Sequence, residues 1–128
     1  MNLQPQCSTL TAAEAEVMNV IWATPNASVP DILERMHREL AYTTVMTTVR
    51  ILEEKGFVRK CGKRGRAYLY DAVVDRDDVR GSMSKELARR LFDGSVKSLV
   101  LSLVKQDTID AEDLAEVKKV IEELEATK

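Results

Sequence analysis

The chain has few of the residues that mark secreted, redox-active or membrane proteins. Only two of its 128 residues are cysteine, and Cys7 and Cys61 are too far apart to form a CxxC pair or a disulfide framework. No apolar run approaches the roughly 20 residues of a membrane span, and residues 1–8 contain no basic segment ahead of an apolar one. We therefore expect a cytoplasmic protein without membrane insertion, whose two thiols are incidental.

Motifs for catalysis are also scarce. The chain has a single histidine, His37, and it lacks both the ligand spacing of a metal site and a phosphate-binding glycine loop. The carboxylate pairs Asp77-Asp78 and Glu122-Glu123 are typical of solvated surfaces. The sequence therefore predicts no enzyme activity, no cofactor and no bound metal.

The charge is distributed unevenly along a chain of ordinary globular composition. Hydrophobic residues make up 45% and charged residues 31%, as in globular proteins, and 128 residues suit one ordinary domain or a small domain with an appended partner-binding segment. The net charge is only -2, yet residues 42–70 hold seven basic residues against two acids, whereas residues 107–128 hold eight acids and three lysines. The basic segment is therefore a candidate for nucleic-acid contact.

Three short helices are predicted before residue 57. Thr11 and Glu14 have the spacing of a capping box, which begins a helix that runs to about Ala23. Ser28, followed by proline and aspartate, begins a second helix that is expected to end near residue 41. A third helix is expected from residue 43, where either Thr43 or Thr44 is its cap, to the left-handed stop at residue 56.

After the third helix, the apolar pattern changes from helical spacing to alternation. Residues 57–61 and 66–71 read as two strands, joined through the segment Gly62-Lys63-Arg64-Gly65. This pattern predicts a β-hairpin with a basic tip that glycines bound on both sides.

Three further helices are predicted between Asp75 and the end of the chain, with breaks at Asp93-Gly94-Ser95 and at Asp110. Six helices in so short a chain cannot easily bury the apolar residues of the last three, so pairing with a second copy is expected. The candidate dimerisation residues are Val96, Leu99, Val100, Leu103, Leu114, Val117 and Ile121. The predicted fold is mainly α with a small β-wing, and it consists of a winged helix-turn-helix domain at 1–73 and a helical dimerisation domain at 74–128.

A helix-turn-helix followed by a wing places its last helix in the major groove of DNA and the wing on the backbone. On the third helix, the face opposite the apolar stripe is rich in threonine and includes one arginine. The candidate DNA-binding residues are Thr43, Thr44, Met46, Thr47 and Arg50 on this helix and Lys63, Arg64 and Arg66 in the wing. Taken alone, the threonines could equally cap and cover a short helix, and the basic hairpin could be a solvated loop.

Several collinear motifs resemble one family of regulators. The segments are residues 10–18 with Trp22, then Tyr42-Thr43-Thr44-Val45-Met46-Thr47-Thr48-Val49, Arg66-Ala67-Tyr68-Leu69-Tyr70 and Phe92-Asp93-Gly94-Ser95. They are similar to the penicillinase-repressor family. The resemblance implies a homodimeric transcriptional repressor that occupies a palindromic double-stranded DNA operator until an inducing signal removes it.

The resemblance also implies how repression is relieved. In the best-known members of the family, release comes from proteolysis in the dimerisation domain, and the resemblance implies a membrane sensor protease that acts directly or indirectly. The cleaved Asn-Phe bond corresponds here to Ser102–Leu103, so this chain departs from the pattern, and these residues could equally belong to the dimer core. A copper-sensing branch uses a cysteine cluster near the C-terminus, which this acidic tail lacks.

Two alternatives belong to other classes of regulator. A ligand-sensing winged-helix protein would be released by a small molecule and would need a pocket between its two halves. A protein-interaction module with the same fold would not bind DNA, and its hairpin would not need five basic residues within eight positions.

Overall fold

A computed structural model describes residues 9–106 and 109–128, so Cys7 lies outside the described part of the chain. The described residues form six α-helices and one two-stranded antiparallel sheet. In chain order the elements are α1 (Ala12–Ala23), α2 (Val29–Arg35), α3 (Tyr42–Glu54), β1 (Val58–Arg64), β2 (Ala67–Ala72), α4 (Arg76–Leu91), α5 (Val96–Val104) and α6 (Ala111–Ala126). This order confirms the predicted fold class, which is mainly helical with a β-wing.

Helix α1 begins at the predicted capping box. The backbone N–H of Glu14 donates to Thr11 Oγ1 at 3.2 Å, and the N–H of Thr11 donates to Glu14 Oε1 at 3.0 Å. Two of the amides that a helix start leaves unpaired are thereby satisfied. The boundary predicted from these two residues is therefore confirmed.

Helix α2 is shorter than predicted. Ser28 caps it as expected, but the helix ends at Arg35, and Met36 already has extended backbone with ψ of 145°. The prediction of a helix to residue 41 was wrong because Met36 and Leu40 pack against the core from an irregular segment. Their apolar spacing therefore reflects burial and not helical structure. His37 is exposed, but it lies beyond the helix.

Helix α3 begins earlier than a threonine cap allows. Its N-cap is Ala41, which makes no side-chain capping bond, and the amides of Thr44 and Val45 already donate to the Ala41 carbonyl. The predicted threonine cap was wrong, because Thr43 and Thr44 already lie inside the first turn. The predicted stop is confirmed, since Gly56 has a φ of 86° and ends the helix.

One hydrophobic core holds the first three helices and the hairpin together. Its largest fully buried side chains are Val17, Met18, Ile32, Val45, Val49, Leu52 and Phe57. Beside this core, Trp22 Nε1 donates to the Val74 carbonyl at 3.0 Å, which ties α1 to the chain that follows β2. Ala27 and Tyr70 exchange backbone hydrogen bonds, so the segment before α2 pairs with β2. These contacts fix the hairpin beside the three helices.

The chain divides into two compact units, Met1–Ser84 and Lys85–Lys128. In the first unit, Val79 and Met83 of α4 pack against the core. In the second unit, Ala88 and Leu99 are buried, whereas every residue of α6 is exposed. The functional division at residues 73 and 74 stays a prediction.

An ion pair between a buried glutamate and a partly exposed lysine joins the start of α1 to the end of α3. Glu14 is only 5% exposed, and Lys55 Nζ donates to its Oε2 at 2.9 Å. Burial raises the pKa of Glu14, but hydrogen bonds from Thr11 and Lys55 outweigh burial and hold that pKa below its ordinary value of 4.5. The ionised carboxylate therefore stabilises the fold above pH 4.5, and this stability is lost as the pH falls through the lower folded pKa.

We expect Glu14→Gln to lower the free energy of unfolding at pH 7 by about 1–2 kcal/mol, because Lys55 loses a charged partner but is itself partly exposed. The difference from the wild type should shrink as the pH falls below 4.5 and through the lowered folded pKa, because the wild-type carboxyl then also becomes protonated. Urea unfolding at a series of pH values, followed by the fluorescence of Trp22, measures this difference in the free energy of unfolding. Glu16→Gln is the matched control, since Glu16 pairs with Arg38 on the exposed side of the same helix. A loss of unfolding free energy that stays the same as the pH falls would contradict the ionic role of Glu14.

Candidate nucleic-acid interface

The face of α3 opposite the core is exposed and polar. Val45, Val49 and Leu52 are fully buried, and helical geometry directs Thr43, Thr47 and Arg50 to the other side, where all three are exposed. Among the described residues, the Arg50 guanidinium makes no ion pair and no hydrogen bond. This surface can therefore donate and accept hydrogen bonds without first breaking internal ones.

The remaining two residues predicted on α3 lie at the edges of this face. Thr44 is exposed, and its carbonyl accepts a hydrogen bond from the hydroxyl of the buried Thr48 at 2.9 Å. Met46 is half-buried and packs against the core. Its role is therefore partly structural, and only its outer part is available to a ligand.

The hairpin places its basic residues differently from the prediction. The turn consists of Gly65 and Arg66, and Gly65 has the positive φ, 64°, that the first position of a tight hairpin turn requires. Gly62 lies within β1 opposite Leu69, next to a register shift at Cys61. The expectation of a loop bounded by Gly62 and Gly65 was wrong because the bulge lets β1 continue to residue 64.

Arg64 is held by an acid of the helix-turn-helix. Its Nη1 lies 3.0 Å from Oδ2 of Asp31, and the same carboxylate oxygen accepts the backbone N–H of Ser28 at the start of α2. The hydrogen bonds with Ser28 and then Arg64 hold the pKa of Asp31 below its ordinary value. Arg64 therefore connects the wing to α2, whereas Arg66 at the turn has no ion pair or hydrogen bond within the described chain.

The wing and α3 border a common crevice. The crevice has a volume of about 70 Å³, and its lining includes Tyr42 and Met46 from α3 and Arg66, Tyr68 and Tyr70 from the hairpin. Within this lining, burial raises the pKa of Tyr70, and the charge of Glu53 raises that pKa further while the charge of Arg50 lowers it. Side chains of α3 and of the wing thus share one electrostatic environment.

Tyr68 was not among the predicted site residues, and Lys60 entered the prediction only as one of the five basic residues of the wing. Lys60 Nζ lies 4.4 Å and Lys63 Nζ 4.7 Å from the ring centre of Tyr68. The register that places Lys63 opposite Tyr68 follows from the turn at residues 65 and 66. Alternation along β2 is visible in the sequence, but a loop over residues 62–65 would not give this pairing.

The candidate dimerisation residues fall into two groups. Leu99 is only 7% exposed and belongs to the interior of its own unit, whereas the others are exposed on the single chain. The exposed members are Val96, Val100, Leu103, Leu114, Val117 and Ile121. Ser102 is half-buried and Leu103 is exposed near the end of α5, so the bond between them lies in helical structure.

The described part of the chain contains neither a candidate metal site nor a helix that could span a membrane. Within 9–106 and 109–128, no three side chains of histidine, cysteine, aspartate or glutamate come together in a way that could hold a metal ion. None of the described helices combines the length and apolar character needed to cross a membrane.

Cys61 is exposed, and its Sγ donates a hydrogen bond to Asn26 Oδ1 at 3.2 Å. Partial desolvation and the nearby Asp71 raise the pKa of its thiol.

Comparison with known proteins identifies the family of this chain. The family model of the penicillinase repressor matches residues 10–123. The chain belongs to this family. That assignment confirms the resemblance carried by the motifs of α1, α3 and β2.

Relatives within the penicillinase repressor family match along most of their length. The methicillin resistance regulatory protein MecI of Mammaliicoccus sciuri is 29% identical over 114 residues, which cover 88% of this chain and 92% of that protein. The transcriptional regulator BlaI of Mycobacterium tuberculosis is 32% identical over 120 residues, which cover 88% of this chain and 83% of that protein. The first name describes a regulatory protein and the second a transcriptional regulator.

Solved structures share the fold at low sequence identity. MepR, a transcription regulator of the Staphylococcus aureus multidrug efflux pump MepA, has a TM-score of 0.53 and 14% identity, with 92% of this chain and 79% of MepR covered. The multiple antibiotic-resistance repressor MarR of Listeria monocytogenes has a TM-score of 0.51 and 18% identity, with 92% and 73% covered. They extend the likeness in fold beyond the penicillinase repressor family.

Proposed function

We propose that this member of the penicillinase repressor family is a transcriptional repressor that binds a palindromic DNA operator as a homodimer. The observation that carries the proposal is the exposed polar face of α3, with an unpaired Arg50, beside a basic wing. A helix of this kind fits the major groove, while the wing reaches the flanking backbone.

The division of labour follows from where each side chain lies. Thr43, Thr47 and Arg50 occupy the centre of the exposed face, where threonine methyls can pack on thymine and the guanidinium can bind guanine. Thr44 and the outer part of Met46 flank this face. Lys63 and Arg66 bind phosphates, and Arg64 holds the wing against Asp31. Bases are read by α3, and the wing supplies affinity.

The homodimer is supported by the apolar side chains that the second unit leaves exposed. Helix α6 has no buried residue, yet Leu114, Val117 and Ile121 recur on one of its faces at helical spacing. Exposed stripes of this kind mark surfaces that pack against a partner. A two-fold dimer would present two copies of α3 to half-sites about 10 base pairs apart, or a multiple of that distance.

Release is proposed to follow proteolysis in α5, by a membrane sensor protease that acts directly or indirectly. Leu103 is exposed on the single chain, so the bond is open to a protease while the protein is a monomer, and α5 ends one residue later at Val104. Cutting the Ser102–Leu103 bond would separate Leu103 and α6 from the rest of the chain and so remove four of the six exposed dimerisation candidates. The repressor would then leave its operator as monomers.

The proposal is tested by titrating the protein onto DNA from its own promoter region at 50 and 200 mM salt, with fluorescence anisotropy as readout. We expect tight binding that weakens at least about a hundredfold between these concentrations, because Lys63 and Arg66 of both subunits displace counterions from about four phosphates. No binding at the lower salt concentration would refute the proposal.

Arg66→Ala should weaken binding to operator and unrelated DNA by the same factor, because a phosphate contact carries no sequence information. The same titrations with both duplexes measure this. Lys128→Ala, which removes one positive charge beyond α6, is the matched control and should leave both affinities unchanged. A loss confined to operator DNA would assign Arg66 to base reading instead.

A further inference from the structure

Two lysines of the wing share one aromatic ring. Lys63 lies directly opposite Tyr68 across the hairpin, and Lys60 lies on the same strand beyond the bulge at Cys61. Their ammonium nitrogens are 4.7 Å and 4.4 Å from the centre of the Tyr68 ring, within the range of a cation–π contact. The ring itself is 43% exposed, so it is not there to fill the core.

This cluster lies on the side of the wing that borders α3. Lys60 Nζ is 4.0 Å from a carboxylate oxygen of Glu53, which belongs to α3. Tyr68 lines the same crevice as Tyr42 and Met46 of α3. A DNA strand that follows the exposed face of α3 toward the wing would therefore pass Lys60, Tyr68 and Lys63.

The arrangement is unusual for two exposed like charges. Ammonium groups repel each other and lysine side chains have high rotamer entropy, so without a common partner the two would point apart into water. The negative face of the ring offsets the repulsion and holds both cations close to the strand surface. The Glu53 contact is at the limit of an ion pair and is exposed, so it contributes little.

Prepositioned cations bind an anion at lower entropic cost than mobile ones. We propose that Lys60, Lys63 and Tyr68 form a binding site for the phosphates of one DNA strand on the side of the wing next to α3. Tyr68 is a positioning residue that acts through the two lysines. The proposal rests on the proposed DNA-binding function, and it adds Lys60 and Tyr68 to the interface.

The test uses the full chain and a mixed-sequence 30-base-pair duplex, because phosphate contacts do not depend on sequence. Tyr68→Ala should weaken binding about threefold to tenfold at low salt and reduce the slope of log affinity against log salt by about 1 to 2. Tyr68→Phe keeps the ring and should restore both values to within twofold of the wild type. Thermal unfolding should show that both variants are folded, since Tyr68 lies outside the hydrophobic core.

A double-mutant cycle separates positioning from direct contact. Lys63→Met should cost less affinity in the Tyr68→Ala background than in the wild type, because the lysine is no longer held in place. Additive effects of the two substitutions would overturn the positioning role. So would a Tyr68→Phe variant as weak as Tyr68→Ala, since the hydroxyl would then be the contacting group.

The failure of this proposal differs from the failure of the DNA-binding function. If the wild type binds the duplex and Tyr68→Ala keeps the same affinity and salt slope, the phosphate site is wrong and the repressor function stands. If the folded wild type does not bind any duplex at low salt, both proposals fall together.

Discussion

Leu103→Asp is expected to convert the protein from a dimer to a monomer and to lower its operator affinity at least about a hundredfold. Leu103 is 52% exposed on the single chain, so aspartate there is tolerated by the monomer but would be buried without a partner in a dimer. Two linked half-site contacts become two separate ones when the dimer dissociates, and the gain from linkage is typically 10²–10⁴-fold. Sedimentation velocity and DNA titration of the same sample measure the two effects.

The choice of residue for this experiment depends on the structure. Leu99 belonged to the same sequence-predicted set, but it is buried within its own unit, so Leu99→Asp would unfold that unit and would not report on association. Lys97→Asp is the matched control, since it places the same carboxylate on an exposed position of α5. A Leu103→Asp protein that stays dimeric would move the interface away from α5.

The second large effect is expected from Arg50→Ala, which should lower the affinity for operator DNA about tenfold to a hundredfold. A bidentate arginine–guanine pair is worth about 1–3 kcal/mol of discrimination, and alanine cannot replace it. Binding to unrelated DNA should fall much less, so the ratio of the two affinities shrinks. Titration of both duplexes at one salt concentration gives this ratio directly.

Glu54 offers a control on the same face of α3. Glu54→Gln keeps the size of an exposed side chain one turn beyond Arg50 and should leave the affinity ratio unchanged. Equal losses on operator and unrelated DNA for Arg50→Ala would show that Arg50 binds phosphate. Base reading would then depend on Thr43 and Thr47 alone.

Local sequence signals predicted the boundaries that local interactions set. The capping box of Thr11 and Glu14 and the left-handed Gly56 each depend on residues within one helical turn, so their positions could be predicted. The end of α2 could not, because the apolar residues Met36 and Leu40 contact the core whether or not the chain is helical there. The spacing of apolar residues indicates which residues are buried. It predicts secondary structure only where the buried residues belong to a regular element.

The sequence predicted which residues of the candidate site are exposed, but not which residues they contact. Exposure of Thr43, Thr47 and Arg50 followed from helical geometry once the apolar face was known. The pairing of Arg64 with Asp31 joins residues far apart in sequence, and nothing in their local pattern indicates it. That contact changes the role we assign to Arg64 from binding DNA to holding the wing.

Tyr68 illustrates the same limit within the hairpin. Its contact with two lysines depends on the strand register, which the turn at Gly65 and the bulge at Cys61 set together. A shift of one residue would direct the ring to the other side of the hairpin. The basic character of the wing was therefore predictable from composition, whereas its arrangement was not.

Selection of binding sites from a randomised duplex library tests the central claim most directly, because the operator sequence does not have to be chosen in advance. The protein is mixed with the library at moderate salt, bound duplexes are recovered and amplified over several rounds, and the products are sequenced. A dimer that reads bases through α3 should enrich an inverted repeat whose half-sites lie about 10 base pairs apart, or a multiple of that distance. Enrichment of a single unrepeated site, or of no sequence at all, would contradict it.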